Sequence, residues 1–293
     1  STVINSAVFL EHCKRLFHTS SPPVLSRIPS CENFTHTLLS PFTSGELDAV
    51  ISGMKSKASS TIGLSPTTIK KVKDQFCPLF SKLATVAITS GKFPLKWLES
   101  KVFFIHKKGN KDDPNNYRSI SIQNPFLKIV MASLAKRILK FAEENTILPM
   151  FQFGFRKGHS TFSAAATLFE AVNQRLNKKP KSERTYVCFV DFSKCFDSVD
   201  REILFIKLQK IGIPYGICLF LHFVYANTEL YIRTGLHLAG AFKSMIGLPQ
   251  GCSLSPILFC LFVSDLPDYL THVGVLLGEV ALRYLMFADD LAL

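Results

Sequence analysis

Two adjacent aspartates, Asp289 and Asp290, stand inside Arg283-Tyr-Leu-Met-Phe-Ala-Asp-Asp-Leu-Ala-Leu293, a run that is otherwise almost wholly apolar. An apolar run of this kind reads as a buried strand, and buried carboxylates are costly unless a cation pairs with them. Neighbouring residues of a strand point to opposite faces, so two consecutive acids predict a bend at 289–290. A turn between apolar strands, tipped with acids, can hold a divalent metal; alone, it reads equally well as a solvated hairpin. A second acid-bearing strand tips the balance. Thr185-Tyr-Val-Cys-Phe-Val-Asp191 is β-rich and also ends on an acid. With the two strands side by side, Asp191, Asp289 and Asp290 share one pocket, where three carboxylates repel one another unless a metal neutralises them. Two Mg²⁺ ions about 4 Å apart would do so, and would activate an attacking hydroxyl while stabilising a leaving phosphate. Oxygen donors without His or Cys favour Mg²⁺ over zinc, with Mn²⁺ as its substitute.

Charge points to the partner. The chain carries a formal +12, unevenly spread: residues 101–160 hold 11 Lys/Arg against 4 Asp/Glu, whereas 251–293 hold one Arg against 5 acids. A basic region beside an acidic one suits a polyanion gripped in one place and processed in another. A hydrophobic content of 47% with 26 Phe excludes wholesale disorder. The eight cysteines form no C-x-x-C pair and no zinc-spaced set with His, and several sit in apolar runs as small hydrophobes. They predict a reducing, intracellular setting, cytoplasm and nucleus. Asn33-Phe34-Thr35 then reads as a chance glycosylation triplet. With no secretory signal and no run of the about 18 apolar residues that a membrane span needs, neither a secreted nor a transmembrane protein is expected.

Along the chain, helices are predicted at 6–17, from Ser44 (apolar face Leu47, Val50, Ile51, Met54), and after Pro66 (Ile69, Val72, Phe76, Leu79) continuing to Gly91. Loops are expected at 56–65 and 177–184. A strand from Leu98 to Ile105 runs into His106-Lys-Lys-Gly-Asn-Lys-Asp-Asp-Pro-Asn-Asn-Tyr-Arg118, rich in turn residues and bases, and returns at 117–122. Residues 126–142 read as an amphipathic helix presenting Lys128, Lys136, Arg137 and Lys140. The 151–160 stretch interleaves aromatics, glycines and bases in the way that suits nucleic acid. Helices follow at 161–176 and 200–210. Gly247-Leu-Pro-Gln250-Gly251-Cys-Ser-Leu-Ser-Pro256 is a glycine-bearing loop entering an apolar helix, close enough in backbone to approach a substrate.

In order, KKGNKDDPNNYRSISI (107–122), QFGFRKGHST (152–161), VDFSKCFDSVDR (190–201), GLPQGCSLSP (247–256) and FADD (287–290) resemble the reverse transcriptase domain, most closely that of non-LTR (LINE-type) retrotransposons. Group II intron enzymes share most of these patterns. The resemblance implies an α+β right-hand polymerase: a segment upstream of the fingers at 1–96 (its first 44 residues unplaced), fingers at 97–184, and an incomplete palm at 185–293. The palm is an antiparallel sheet backed by helices, and the thumb is absent. It implies Asp191, Asp289 and Asp290 as catalytic metal ligands, with Phe192 lending its carbonyl to metal. Arg118 grips the triphosphate, with Lys107 and Lys108 as further candidates. Phe196 lies under the sugar and excludes a 2′-hydroxyl, and Gln250 and Gly251 lie beside the nucleotide. Ser119 replaces a common proline, and Cys195 a common alanine. The partners implied are an RNA template, a DNA primer or target, and dNTPs. The setting implied is a longer polyprotein with a thumb and, optionally, an endonuclease. The alternatives are an inactive RNA-binding remnant, a group II intron-type enzyme, or an RNA-templated RNA polymerase, which Phe196 argues against. Only Leu291, Ala292 and Leu293 follow Asp290, so the strand returning from the acidic turn is expected to be barely begun and the 293 residues alone to extend a primer weakly or not at all.

Overall fold

A computed structural model describes residues 6–18, 37–55, 64–177, 184–234, 237–270 and 274–293. The triplet at 33–35, Cys31 and most of the 56–65 and 177–184 loops lie outside them. The chain is α+β. Its first half carries α1 (Ser6–Leu16), α2 (Ser44–Gly53), α3 (Pro66–Lys71), α4 (Lys73–Ser90), β1 (Glu99–His106), β2 (Tyr117–Gln123) and α5 (Pro125–Glu144). Then come α6 (Thr161–Asn177), β3 (Phe189–Asp191), α7 (Arg201–Lys210), α8 (Tyr215–Asn227), β4 (Glu229–Thr234) and β5 (His237–Phe242). The chain closes with α9 (Ser255–Phe262), β6 (Val275–Leu277), β7 (Val280–Leu282), β8 (Leu285–Phe287) and β9 (Asp290–Ala292). These elements gather into two units, each discontinuous in sequence: Ser1–Phe141 with Phe196–Ser255, and Ala142–Cys195 with Pro256–Leu293.

The first unit is built on a sheet ordered β2-β1-β4-β5. The expected basic hairpin is there: β1 and β2 pair antiparallel from Ser100↔Gln123 to His106↔Tyr117. Its turn is closed by its own polar side chains, with Asp113 accepting from Asn115 N–H and the Asn116 amide donating to the Asn110 carbonyl at 2.8 Å. β1 also pairs parallel with β4, whose partner β5 returns antiparallel. Residues 229–242, unassigned from the sequence, thus extend the sheet. One sheet face is covered by α1 and the residue after it: Phe9, Cys13 and Phe17 recur every four residues and pack on Val102, Leu230, Ile232 and Phe242. This gives part of the unplaced N-terminal segment a place in the fold.

Thr43 and Glu46 form a capping box at the start of α2, each side chain accepting from the other's backbone N–H. The apolar face expected after Pro66 is corrected. The helix breaks at Val72, which ends α3 and begins α4, and the break resets the helical phase. Cys77, Phe80, Ala84, Ala87 and Ile88 are buried, while Leu79 is 72% exposed.

Arg137 on α5 is also corrected. It does not face outward with the exposed Lys136 and Lys140. It forks onto both carboxylate oxygens of Glu46 at 2.7 Å, donates to the carbonyls of Leu38, Ser40 and Pro41, and lies 4.0 Å over the Phe42 ring. Its role is to tie 38–46 to α5.

The second unit holds the antiparallel sheet β3-β9-β8 and the β6–β7 hairpin, with α6 and α9. Strand alternation splits the core of this sheet in two. Leu285 and Ala292 pack with Phe153, Ala164 and Ala171, and Met286 and Leu291 pack with Tyr284. The strand expected over 185–191 is shorter: β3 spans only Phe189–Asp191, at the sheet edge, with Phe189 74% exposed. The strand expected to be barely begun is formed. Asp290–Ala292 pairs with both β8 and β3, and beyond it Leu293 and Cys188 exchange backbone hydrogen bonds of 2.9 Å. Arg156, in the 151–160 stretch expected to suit nucleic acid, instead forks onto both oxygens of Glu143 at 2.8 and 2.6 Å and donates to the Pro149 and Gln152 carbonyls. No described helix is long and apolar enough to cross a membrane.

Candidate active site

The acids named from the sequence lie in the second unit. β8 and β9 are joined by a two-residue turn, Ala288–Asp289, with Phe287 opposite Asp290. On the other side of β9, Asp290 is opposite Asp191, the last residue of β3. Directly opposed residues have side chains about 5 Å apart on one face, so two exposed carboxylates face each other at the rim of the sheet.

Asp289 is the second residue of the turn and pairs with neither strand. Its Oδ2 accepts from the Cys195 thiol at 3.1 Å. Among the described residues, no three His, Cys, Asp or Glu side chains converge closely enough to hold a metal. The structure therefore brings Asp191 and Asp290 together and leaves Asp289 one residue along the turn. The donor set still fits a hard divalent cation. It offers carboxylate oxygens alone, and like charges set directly opposite each other are unfavourable until a cation lies between them. Phe192 is half-buried and packs against the Tyr284–Met286–Leu291 cluster.

The turn itself rests on a side chain that sequence reasoning passed over. Phe151–Phe153 runs alongside β8, with Met286 N–H donating to the Phe151 carbonyl and Phe153 N–H to the Met286 carbonyl. Between them Gln152, 1% exposed, points its amide at Ala288. Its Oε1 accepts from Gly154 N–H (2.8 Å) and Ala288 N–H (3.0 Å), and its Nε2 donates to the Ala288 carbonyl (3.3 Å). A Cβ at Gly154 would overlap the Ala288 backbone nitrogen, so only glycine lets the segment come so close. The aromatic-glycine stretch that suits nucleic acid thus also supports the turn, and a glutamine flanked by two phenylalanines was the available signal.

The remaining candidates lie in the first unit, where three segments converge. Leu248 N–H donates to the Phe196 carbonyl at 2.7 Å, and Gly247 N–H to the Val199 carbonyl at 2.8 Å. Gln250 Nε2 donates to both oxygens of Asp197, at 3.1 Å each. On the other side of the loop, Ser121 N–H of β2 donates to the Gln250 carbonyl at 2.7 Å. Gly251 follows at φ 106°, where a Cβ would lie 2.5 Å from the Ser121 carbonyl. Phe196, Gln250 and Gly251 are thus held against the strand that carries the exposed Arg118. Lys107 and Lys108 are exposed in the β1–β2 turn.

Arg201 locks this assembly, and the sequence reading did not single it out. Only 4% exposed, it donates to the carbonyls of Gly247, Ser244 and Ile246 and to the Ser244 hydroxyl, and lies 4.7 Å over the Tyr225 ring. Burial pulls its guanidinium down to about 10, so it remains a cation at neutral pH, held by carbonyl dipoles and a ring face. Nearby, Asp200 accepts from the N–H groups of Glu202 and Ile203 and caps α7.

The family model described as Reverse transcriptase (RNA-dependent DNA polymerase) matches residues 105–293. The chain is 31% identical over 177 residues, 60% of its own length, to the probable RNA-directed DNA polymerase from transposon BS of Drosophila melanogaster, covering 19% of that protein. It is 29% identical to the RNA-directed DNA polymerase from mobile element jockey of Drosophila melanogaster, over 78% of this chain and 24% of that one. It is 25% identical to a Pol polyprotein from the type-1 retrotransposable element R2 of Popillia japonica, over 86% and 34%. The chain thus spans between a fifth and about a third of the length of these relatives.

Proposed function

The chain belongs to the reverse transcriptase (RNA-dependent DNA polymerase) family, and from that premise we propose that it carries RNA-templated DNA synthesis within a longer retrotransposon polyprotein. In the reaction, the primer 3′-oxygen bonds to the α-phosphorus of a dNTP. The α–β phosphoanhydride breaks, pyrophosphate leaves, and the hydroxyl proton passes to solvent. The observation that carries the reading is the cross-strand pair Asp191↔Asp290 beside the Asp289 turn.

The family is divalent-metal dependent. Asp191, Asp290 and Asp289, with the Phe192 carbonyl, are the groups that would hold two Mg²⁺. When bound, these ions would lower the pKa of the primer hydroxyl and balance the charge of the departing pyrophosphate. The protein's own residues bind and orient. Arg118, with Lys107 and Lys108, holds the triphosphate through charge-assisted hydrogen bonds. Phe196 fills the volume that a ribose 2′-hydroxyl needs, and Gln250 and Gly251 border the nucleotide. The division into fingers (97–184) and palm (185–293) belongs to the same proposal, with the β3-β9-β8 sheet as palm.

Primer extension by Asp289→Asn and Asp290→Asn, in this chain or a longer one containing it, tests the reading. Each variant should lose extension by at least about a hundredfold while primer–template affinity stays within about threefold. Near-normal extension by either would end the assignment.

A further inference from the structure

We propose that Gln152 is a positioning residue for the acidic turn, holding Ala288 in the left-handed backbone conformation that aims Asp289 and Asp290; the functional half of the proposal rests on the polymerase reading above. Ala288 has φ 60° and is the first central residue of a two-residue hairpin, a place that favours glycine. Here an alanine occupies it, 6% exposed, so its conformation is imposed by its surroundings. The imposing group is the Gln152 side-chain amide. One planar amide takes both polar groups of residue 288, the N–H at Oε1 and the carbonyl at Nε2, and is anchored from behind by Gly154 N–H.

The two N–H donors fix which amide atom is the oxygen, and leave Nε2 facing the carbonyl. The anchor does not move independently of the turn. Gln152 sits between two backbone hydrogen bonds to Met286, two residues before Ala288. Its neighbour Gly154 packs so closely on residue 288 that no side chain fits there. A groove-filling residue of the same volume would satisfy none of this. Only a side chain with an acceptor and a donor one amide apart serves both ends of a single peptide residue.

The consequence is specific. Without the amide, Ala288 relaxes out of the left-handed region, and the carboxylates that follow lose their aim. A glycine at 288 adopts that region without help. Ala288→Gly is therefore expected to compensate for loss of Gln152, which it would not do if Gln152 merely filled space.

The test compares the parent chain with Gln152→Ala, Gln152→Glu, Ala288→Gly and Gln152→Ala/Ala288→Gly. Amide exchange is followed by mass spectrometry on the peptide spanning 285–293, and Mn²⁺ binding by magnetic resonance of the free ion. Gln152→Ala is expected to speed exchange at the turn at least about tenfold and to weaken Mn²⁺ about 10- to 100-fold, as losing a group that orients ligands does. Gln152→Glu keeps the size and the acceptor but loses the donor, and should fall in between. It also serves if the alanine variant does not fold. The double variant should recover Mn²⁺ affinity to within about threefold of Ala288→Gly. Unchanged exchange at the turn in the alanine or glutamate variant, or a double variant as weak as Gln152→Ala, overturns the proposal. Faster exchange in a series whose parent binds no Mn²⁺ would uphold the positioning of the turn and count against the metal reading alone.

Discussion

The side-chain amide of Gln250 lies 3.1 Å from each carboxylate oxygen of Asp197. The loop glutamine that resemblance sets beside the nucleotide is therefore aimed by an acid on the segment that also carries Phe196. Asp197→Ala should raise the apparent KM for dNTP about 10- to 100-fold, the worth of one hydrogen bond to a charged group. Because both residues act as one unit, Asp197→Ala/Gln250→Ala should be no worse than Gln250→Ala alone. Additive losses in steady-state kinetics would show that Asp197 has a separate task.

Phe196 is half-buried, with its carbonyl fixed by Leu248 N–H, so its ring cannot easily withdraw from an added hydroxyl. Phe196→Val should relax discrimination against ribonucleotides by about 1–3 kcal/mol. Comparing dNTP and rNTP incorporation by the two proteins decides it, and an unchanged ratio would remove Phe196 from sugar selection.

The basic face of α5 should divide by function. Neutralising the exposed Lys136 and Lys140 should weaken nucleic-acid binding and lower the slope of log affinity against log salt by up to about 2. Arg137→Met should leave that slope alone and cost on the order of 2–4 kcal/mol in stability, because Glu46 and three carbonyls lose their partner. Salt titrations and urea melts of both variants separate the effects.

Acid should act through two forked pairs. The hydrogen bond from Arg137 holds the Glu46 carboxyl below its ordinary range, and Arg156 does the same for Glu143. For a depressed carboxyl, the stabilisation is complete above the unfolded pKa of about 4.3 and fades as pH falls through the lower folded value. Stability should thus be flat above pH about 5 and decline below about 4. Arg156→Met should shrink that acid-side loss, though modestly, since both glutamates are about a third exposed. Thermal midpoints between pH 3 and 6 measure it; identical acid limbs in parent and variant would exclude Glu143 as a contributor.

Local patterning made much of this molecule legible in advance. The three- and four-residue spacing of α2, the turn residues between β1 and β2, and the paired acids after an apolar strand all act over a few residues. Helix, hairpin and bend appear where those signals stand. Where the helix breaks, as at Val72, periodicity carries no phase from one side to the other.

What the sequence by itself determined is the chemistry on offer: which acids end strands, where the strongly periodic helices lie, and which motifs occur in order. What only the tertiary structure decided is the partner of each polar side chain. Arg137 and Arg156, basic in composition, are consumed by glutamates 91 and 13 residues away. Gln152 looked like part of a loop and is the support of a turn 136 residues later. The reason is physical. Hydrophobic periodicity is written into neighbours along the chain. A hydrogen bond or ion pair is satisfied by whichever complementary group the fold brings within about 3 Å, and that distance exists only after the chain has packed.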